Sequence, residues 1–145
     1  MQSKMHPGIT AAPLVFNKKG ELLLVKSTKG YGDVLMLPGG HVELFESIKH
    51  AAVREAKEET GLTLRNVSFL CYQEVITKLT DGNRRHHICF CYVCKTNQNN
   101  VKLNRELNHY EWVNPRKALR MNTAPYTKYA IKIYLKRNNP PLKIR

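Results

Sequence analysis

The chain has 145 residues, 42% of them hydrophobic, which is enough for one domain with a buried core. No apolar run approaches the roughly 20 residues that cross a bilayer, and MQSKMHPGIT has no signal-peptide core, so we expect a cytoplasmic protein whose four cysteines stay reduced. The 24 Lys and Arg residues outnumber the 11 Asp and Glu residues, and a formal charge of +13 favours polyanionic ligands over cationic ones.

Six apolar or alternating segments predict strands. In chain order they are 9–16, 21–26, 34–37, 64–79, 86–95 and 109–113. The turn NKKG (17–20) predicts a hairpin between the first two strands, and TDGN (80–83) separates the fourth strand from the fifth. STKGYGD (27–33) contains two glycines and predicts a flexible loop between the second and third strands.

Two helices are predicted. Ser47 is a suitable N-cap and Gly61 a suitable C-terminal stop, so we expect a helix that ends at about Thr60. Residues 125–137 predict a last helix, in which Tyr126, Tyr129, Ala130, Ile133 and Tyr134 have the spacing of core residues. The mixed order of strands and helices favours an α/β class built on a mixed sheet.

Charge is distributed unevenly along the chain. Residues 114–145 contain nine Lys or Arg residues and no acid, whereas residues 39–62 contain five Glu against three Lys or Arg. An acidic pocket on a basic protein suits a metal-bound, polyanionic substrate. Because no repeat or linker interrupts the sequence, we predict a single domain over residues 1–137 and a basic tail over residues 138–145.

Three glutamates of the first helix form the most informative group. Glu55, Glu58 and Glu59 are spaced at i, i+3 and i+4, so a helix projects them to a common side. Carboxylates beside apolar residues are costly unless a positive charge compensates them, and magnesium is bound by such oxygens together with substrate phosphates. A carboxylate left over from coordination can take a proton from water. The group predicts metal-assisted hydrolysis of a phosphoanhydride, with Arg54 orienting a carboxylate.

Residues 40–62, GHVELFESIKHAAVREAKEETGL, resemble the Nudix box, Gly-x5-Glu-x7-Arg-Glu-U-x-Glu-Glu-x-Gly-U. The defined positions are Gly40, Glu46, Arg54, Glu55, Ala56, Glu58, Glu59, Gly61 and Leu62. The resemblance covers roughly residues 8–137. It implies a Nudix-type α/β/α sandwich and hydrolysis of a nucleoside diphosphate linked to another group, with Mg²⁺ or Mn²⁺ as cofactor.

The resemblance also implies roles for single residues. The carbonyl of Gly39 and the carboxylates of Glu55 and Glu59 are implied to bind metal. Glu58 is implied to be a further ligand or the general base, and Arg54 is implied to orient Glu55. The catalytic residues are therefore expected to be Glu55, Glu58 and Arg54.

The resemblance also implies roles for carboxylates outside this set. In MutT-like members a glutamate six residues before a tryptophan supplies another ligand or base, and Glu106 stands six residues before Trp112. Glu111 is the competing candidate if the loop has a different register. Glu46 is implied to be a structural residue at the helix start.

The substrate is inferred by elimination. No proline lies between Pro38 and Pro115, which counts against ADP-ribose hydrolases, and Lys-Leu-Thr at 78–80 lacks the tyrosine expected in dinucleoside polyphosphate hydrolases. We expect a nucleoside triphosphate to be cleaved to a monophosphate and diphosphate. The alternatives are an RNA 5′-end or cap hydrolase, suggested by residues 114–145, an ADP-ribose-type hydrolase, and a non-catalytic nucleotide-binding module, which the complete box disfavours.

Four residues are candidate substrate contacts: Tyr31, Phe45, His87 and Asn122. Tyr31 and Phe45 offer stacking surfaces in loops, Asn122 can bond a base edge, and His87 lies on a strand that often borders the family's cleft. The expected partner is a small nucleotide, with RNA less favoured, and the protein is either a monomer or a homodimer. In ICFCYVC (88–94), strand alternation places Cys91 and Cys94 on opposite faces, which disfavours a zinc site.

Overall fold

A computed structural model describes residues 6–138. Its strands are β1 (Gly8–Phe16), β2 (Leu22–Ser27), β3 (Gly40–His41), β4 (Arg65–Lys78), β5 (Arg84–Lys95) and β6 (Leu107–Val113). Its helices are α1 (Ile48–Thr60), α2 (Pro115–Ala118) and α3 (Pro125–Asn138). Both predicted helices are confirmed, as is the turn between β4 and β5.

The six strands form one mixed sheet in the order β4-β5-β1-β2-β6, with β3 paired to β1. The pairing of β1 with β5 is parallel, and the other pairings are antiparallel. Seven consecutive residues of β1, from position 10 to position 16, are buried, as expected for a strand that is covered on both faces.

One helix packs on each face of the sheet. On one face, Ala51 and Ala52 of α1 pack against Ala11 of β1. On the other face, Ala130 and Ile131 of α3 belong to the same core cluster as Ala12, the next residue of β1. Burying two apolar faces on one sheet requires two covering layers, which explains the arrangement. The predicted α/β/α sandwich is confirmed.

The predicted hairpin is confirmed, since β1 and β2 are antiparallel neighbours that pair at Phe16–Leu22. The other edge of β1 pairs with β5, and the other edge of β2 pairs with β6. One prediction about the first part of the chain is wrong, because the segment 34–37 is not a strand. Leu35 forms an isolated β-bridge with Thr123, and Met36 forms one with Val25. The segment therefore makes single bridges to two partners and no continuous strand pairing.

The core side of α3 also differs from the prediction. Tyr129 is 46% exposed, and the buried residues are Thr127, Ala130 and Ile131. The short strand β3 was not predicted, because two residues carry no periodic signal. The predicted tail lies outside the described residues apart from Asn138, which ends α3.

Two further observations concern predicted classes of site. Cys91 and Cys94 pack in different core clusters, in agreement with their predicted opposite faces. Between residues 6 and 138, no helix combines the length and hydropathy that crossing a bilayer demands.

Candidate active site

Helix α1 brings its glutamates to one side through well-formed ends. Ser47 Oγ accepts a hydrogen bond of 3.1 Å from the His50 amide, and Gly61, with φ of 74°, ends the helix in the left-handed conformation. The three carboxylates differ in environment: Glu59 is 4% exposed, whereas the side chains of Glu55 and Glu58 are 13% and 54% exposed. One helix face therefore runs from water into the protein interior.

Glu59 is the most buried of these carboxylates. Burial raises its pKa to about 8, although the Gly39 amide donates a 2.7 Å hydrogen bond to Oε1, and the charges of Glu55 and Glu106 raise the pKa further. Burial also raises the pKa of Glu55, against the opposing effect of Arg54. Burial thus favours the protonated carboxyl of Glu59, and a bound cation would favour its ionised form.

Arg54 links the carboxylates around the helix. Its Nε and one terminal nitrogen donate to the two oxygens of Glu46 at 2.7 and 2.9 Å. The other terminal nitrogen donates to Glu55 at 3.0 Å and to Glu58 at 3.1 Å. The bidentate bond to Arg54 lowers the pKa of Glu46 to about 2. The guanidinium therefore fixes the carboxylate of Glu55 relative to the start of the helix.

The turn before β3 has space for glycine only. A Cβ at Gly39 would collide with the carbonyl oxygen of Ala11, and a Cβ at Gly40 would lie 2.5 Å from the carboxyl carbon of Glu55. The absence of side chains lets the backbone of this turn approach Glu55 and Glu59 closely.

Glu106 lies at the same site, at the entrance to β6. Its Oε1 is 3.0 Å from Lys29 Nζ, and the amide of Thr28 donates to its carbonyl at 2.9 Å. Glu106 lines the cavity next to Glu59. The competing candidate, Glu111, instead pairs with His109 at 2.9 Å and is not part of the cavity wall.

A cavity of about 430 Å³ opens beside these carboxylates. Its lining includes residues of β4 and β5, of the loop after β2 and of the start of α3. The residues that carry polar or aromatic groups into it include Thr10, Lys29, Tyr31, Glu59, Gln73, His87, Glu106 and Tyr126. Its size suits a small ligand.

Of the four predicted substrate contacts, the structure brings two to this cavity. Tyr31 and His87 line it, and burial lowers the pKa of His87, which favours the neutral imidazole. Phe45 is 98% exposed and outside the wall. Asn122 is also outside the wall, because its amide donates to the carbonyl of Asp33 at 2.6 Å and holds two loops together.

Sequence reasoning missed Thr10 and Gln73 as cavity residues. A signal for Thr10 was present, since it is a polar residue at the start of an otherwise apolar run. Gln73 gave no comparable signal, because polar and apolar residues alternate along β4.

The charges test whether a divalent cation suits this site. The pKa values of Glu59 and Glu55 are both raised, in part because the negative charges of neighbouring carboxylates disfavour the ionised form. Lys29 and Arg54 supply positive charge at the edges, toward Glu106 and Glu55. Within the described ranges, no group of three or more acidic, histidine or cysteine side chains is placed to hold a metal ion by itself. A cation bound here would therefore need further oxygen ligands, and magnesium commonly takes these from water and from substrate phosphates.

Comparison with known proteins identifies the family. The NUDIX domain profile matches residues 5–134, and the chain belongs to the Nudix family. The MutT NUDIX hydrolase of Burkholderia pseudomallei has the same fold, with a TM-score of 0.74 and 22% identity over 88% of this chain and 97% of that one.

Two relatives in sequence have names that describe an activity. The m7GpppN-mRNA hydrolase NUDT17 of Xenopus laevis is 32% identical over 108 residues, which are 69% of this chain and 36% of that protein. The nucleoside triphosphatase NudI of Escherichia coli is 32% identical over 120 residues, which are 77% of this chain and 84% of NudI. The chain thus spans about a third of the frog protein's length and most of NudI.

Proposed function

We propose that this chain is a Mg²⁺-dependent nucleotide pyrophosphohydrolase, in which Mn²⁺ can replace Mg²⁺. Its proposed reaction converts a nucleoside triphosphate to a monophosphate and diphosphate. The observation that carries the proposal is the buried carboxylate of Glu59, which lies on a ligand-sized cavity together with Glu106 and Lys29. The similarity to NudI over most of its length supports a triphosphate substrate.

The proposed metal ligands are the Gly39 carbonyl and the carboxylates of Glu55, Glu59 and Glu106, with Glu58 as a further ligand or the general base. Nudix hydrolases generally need a divalent metal. When bound, the ion would offset the carboxylate charge and draw electron density from the phosphate groups. Lys29 lines the same cavity and is placed to contact a phosphate.

Three residues of α1 divide the remaining tasks. Arg54 holds Glu55 in one orientation through its 3.0 Å hydrogen bond. Glu55 or Glu58 accepts the proton of the attacking water. Burial makes Glu55 more basic, whereas Glu58 is half-exposed and reachable by solvent. Fixing the base before water attacks lowers the entropic cost of the reaction.

A substrate panel tests the proposal. Purified protein with Mg²⁺ would be assayed on nucleoside triphosphates, ADP-ribose, dinucleoside polyphosphates and capped RNA. We expect turnover of a triphosphate and a loss of at least about a hundredfold in Glu59→Gln. Absence of turnover on the whole panel, in protein shown to bind the metal, would refute the enzyme.

The role of Glu106, just before β6, has a matched control in Glu111 on that strand. Glu106→Gln is expected to reduce kcat by about tenfold or more. Glu111→Gln should leave kcat within about twofold, because Glu111 lies outside the cavity wall. Equal losses in both variants would show that the strand, and not the Glu106 carboxylate, matters.

An RNA 5′-end substrate is the second candidate, favoured by one surface of α3. Lys128, Lys132 and Lys136 are spaced four residues apart, so they form a stripe along the helix, whose first turn lines the cavity. This lysine stripe would bind the phosphate backbone of an RNA whose 5′ end lies in the cavity. The frog relative is named as an mRNA hydrolase.

Charge reversal in the lysine stripe separates the two candidates. If RNA is the substrate, Lys132→Glu with Lys136→Glu should weaken RNA binding and reduce the slope of affinity against salt. If a free triphosphate is the substrate, hydrolysis by the double variant should stay within about twofold of wild type at 150 mM salt.

A further inference from the structure

One row of side chains crosses the floor of the cavity on four adjacent strands. Gln73 of β4 is paired with Cys89 of β5, Cys89 with Thr10 of β1, and Thr10 with His41 of β3. Directly paired residues point to the same side of a sheet. All four line the cavity, so the row faces the ligand space.

Thr10 carries an unsatisfied group in this row. The residue is 7% exposed, and its Oγ1 has no hydrogen-bond partner among residues 6–138. The group beside it is the thiol of Cys89, which is a weak hydrogen-bonding partner. Buried hydroxyls without partners are rare in folded proteins, so this one calls for a partner supplied from the cavity.

Gln73 offers a fixed acceptor in the same row. Its Nε2 donates to the Tyr126 carbonyl at 2.8 Å and lies 3.9 Å from the Cys91 sulfur. Only the amide nitrogen can donate to a carbonyl, so the orientation of the amide is determined. The group that Gln73 can offer to a ligand is therefore Oε1, which only accepts.

This row is deeper than the polar residues beyond it. The next pair toward the mouth is Val75 with His87, and the one after that is Thr77 with Arg85. Cys89 is 2% exposed, His87 is partly buried and Arg85 is exposed. If a nucleobase enters the cavity, the exocyclic group at its leading edge therefore reaches the Gln73–Thr10 row.

We propose that Thr10 and Gln73 determine the base specificity of this enzyme and select the 6-amino group of adenine or the 4-amino group of cytosine, each of which lies beside an unprotonated ring nitrogen. The inference rests on the proposed function. An amino group donates to Gln73 Oε1, and the Thr10 hydroxyl donates to the adjacent ring nitrogen. An exocyclic oxygen would instead face Oε1 as a second acceptor and leave Oε1 without a partner, although the Thr10 hydroxyl could still accept from the ring N–H beside that oxygen.

Nucleotide pairs that differ mainly in this group provide the test. We expect kcat/KM to be at least about tenfold higher for CTP than for UTP, and for ATP than for ITP. Thr10→Val and Gln73→Met should bring each ratio to within about twofold. Thr96→Val is the matched control, because Thr96 is also buried but lies outside the cavity wall, and it should keep the wild-type ratios.

Calorimetric binding of CMP, UMP, AMP and IMP makes the result independent of turnover. Triphosphate turnover with equal rates for amino and oxo bases would overturn the inference and leave the proposed function intact. No turnover, together with preferential binding of CMP and AMP that Thr10→Val abolishes, would refute the proposed function and retain the base-reading row. If Gln73→Met fails to fold, Thr10→Val decides, since the threonine hydroxyl has only a weak contact with the Cys89 thiol to lose.

Discussion

Glu59 joins the stability of the protein to its proposed cofactor. Its pKa is about 8 in the folded chain against an ordinary 4.5, chiefly because it is buried, so the folded state holds a proton that the unfolded state releases between these values. Without metal, the contribution of Glu59 to the free energy of unfolding is fully present below pH 4.5 and is lost as the pH rises to 8. The expected loss is on the order of 2–4 kcal/mol.

Urea denaturation of metal-free protein between pH 5 and pH 8.5 measures this loss. Glu59→Gln should flatten the profile, because the amide keeps an acceptor for the Gly39 amide but does not titrate. Mg²⁺ should restore wild-type stability at pH 8 and have little effect on the variant. A flat wild-type profile would contradict the buried, protonated state of Glu59.

Thr10 predicts an unusual response of stability at a second single residue. Thr10→Val removes a hydroxyl that has no partner and should stabilise the apo protein by about 1 kcal/mol. Thr96→Val removes an acceptor of the Gln98 amide and should destabilise it by about 1–2 kcal/mol. Thermal denaturation of both variants checks this opposite sign, and destabilisation by both would mean that Thr10 has a partner within the protein.

Among the elements, α1 is positioned by Arg54 as much as by its caps. Arg54 makes a bidentate pair with Glu46 and also reaches Glu55 and Glu58. Lysine has one ammonium group and cannot make these bonds together. Arg54→Lys should therefore lower kcat by about 10–100-fold.

Arg65→Lys is the control for this prediction, since Arg65 is exposed on β4 and should tolerate the change. A kcat for Arg54→Lys within twofold of wild type would show that the guanidinium does not orient Glu55. Comparison of kcat with Tm in both variants separates loss of positioning from loss of folding.

Local elements were predictable from the sequence, and pairings between distant segments were not. The caps at Ser47 and Gly61 specify α1 through residues a few positions apart, so the helix and the shared side of its glutamates followed from spacing. The parallel pairing of β1 with β5 joins residues about 80 positions apart. Nothing in the local pattern of 9–26 indicates which strands pair with the outer edges of its hairpin, β5 with β1 and β6 with β2.

The same difference explains which site residues were found. Glu55, Glu58 and Glu59 share a helix, so their sequence positions alone bring them together. Thr10 and Gln73 lie in one row only because both are paired with Cys89, and that register depends on the whole sheet. Phe45 was expected at the site because it is an aromatic residue in the loop at the start of the box, yet its side chain is exposed to solvent.

For the whole molecule, the net charge of +13 predicts how the substrate arrives. A positive field attracts a triphosphate, and added salt screens it, so kcat/KM should fall several-fold between 50 and 500 mM NaCl while kcat changes little. Steady-state kinetics at constant free Mg²⁺ measures both parameters. A kcat/KM that does not change with salt would show that the basic surface does not steer the substrate.

The proposed reaction is defined by the phosphoanhydride bond that is cleaved and by its dependence on Mg²⁺. Phosphorus NMR of a nucleoside triphosphate incubated with the full chain identifies the products directly. With Mg²⁺ we predict a nucleoside monophosphate and diphosphate in equal amounts, and no reaction in EDTA or with Glu59→Gln. A nucleoside diphosphate and phosphate as products, or undiminished turnover in EDTA, would contradict the account.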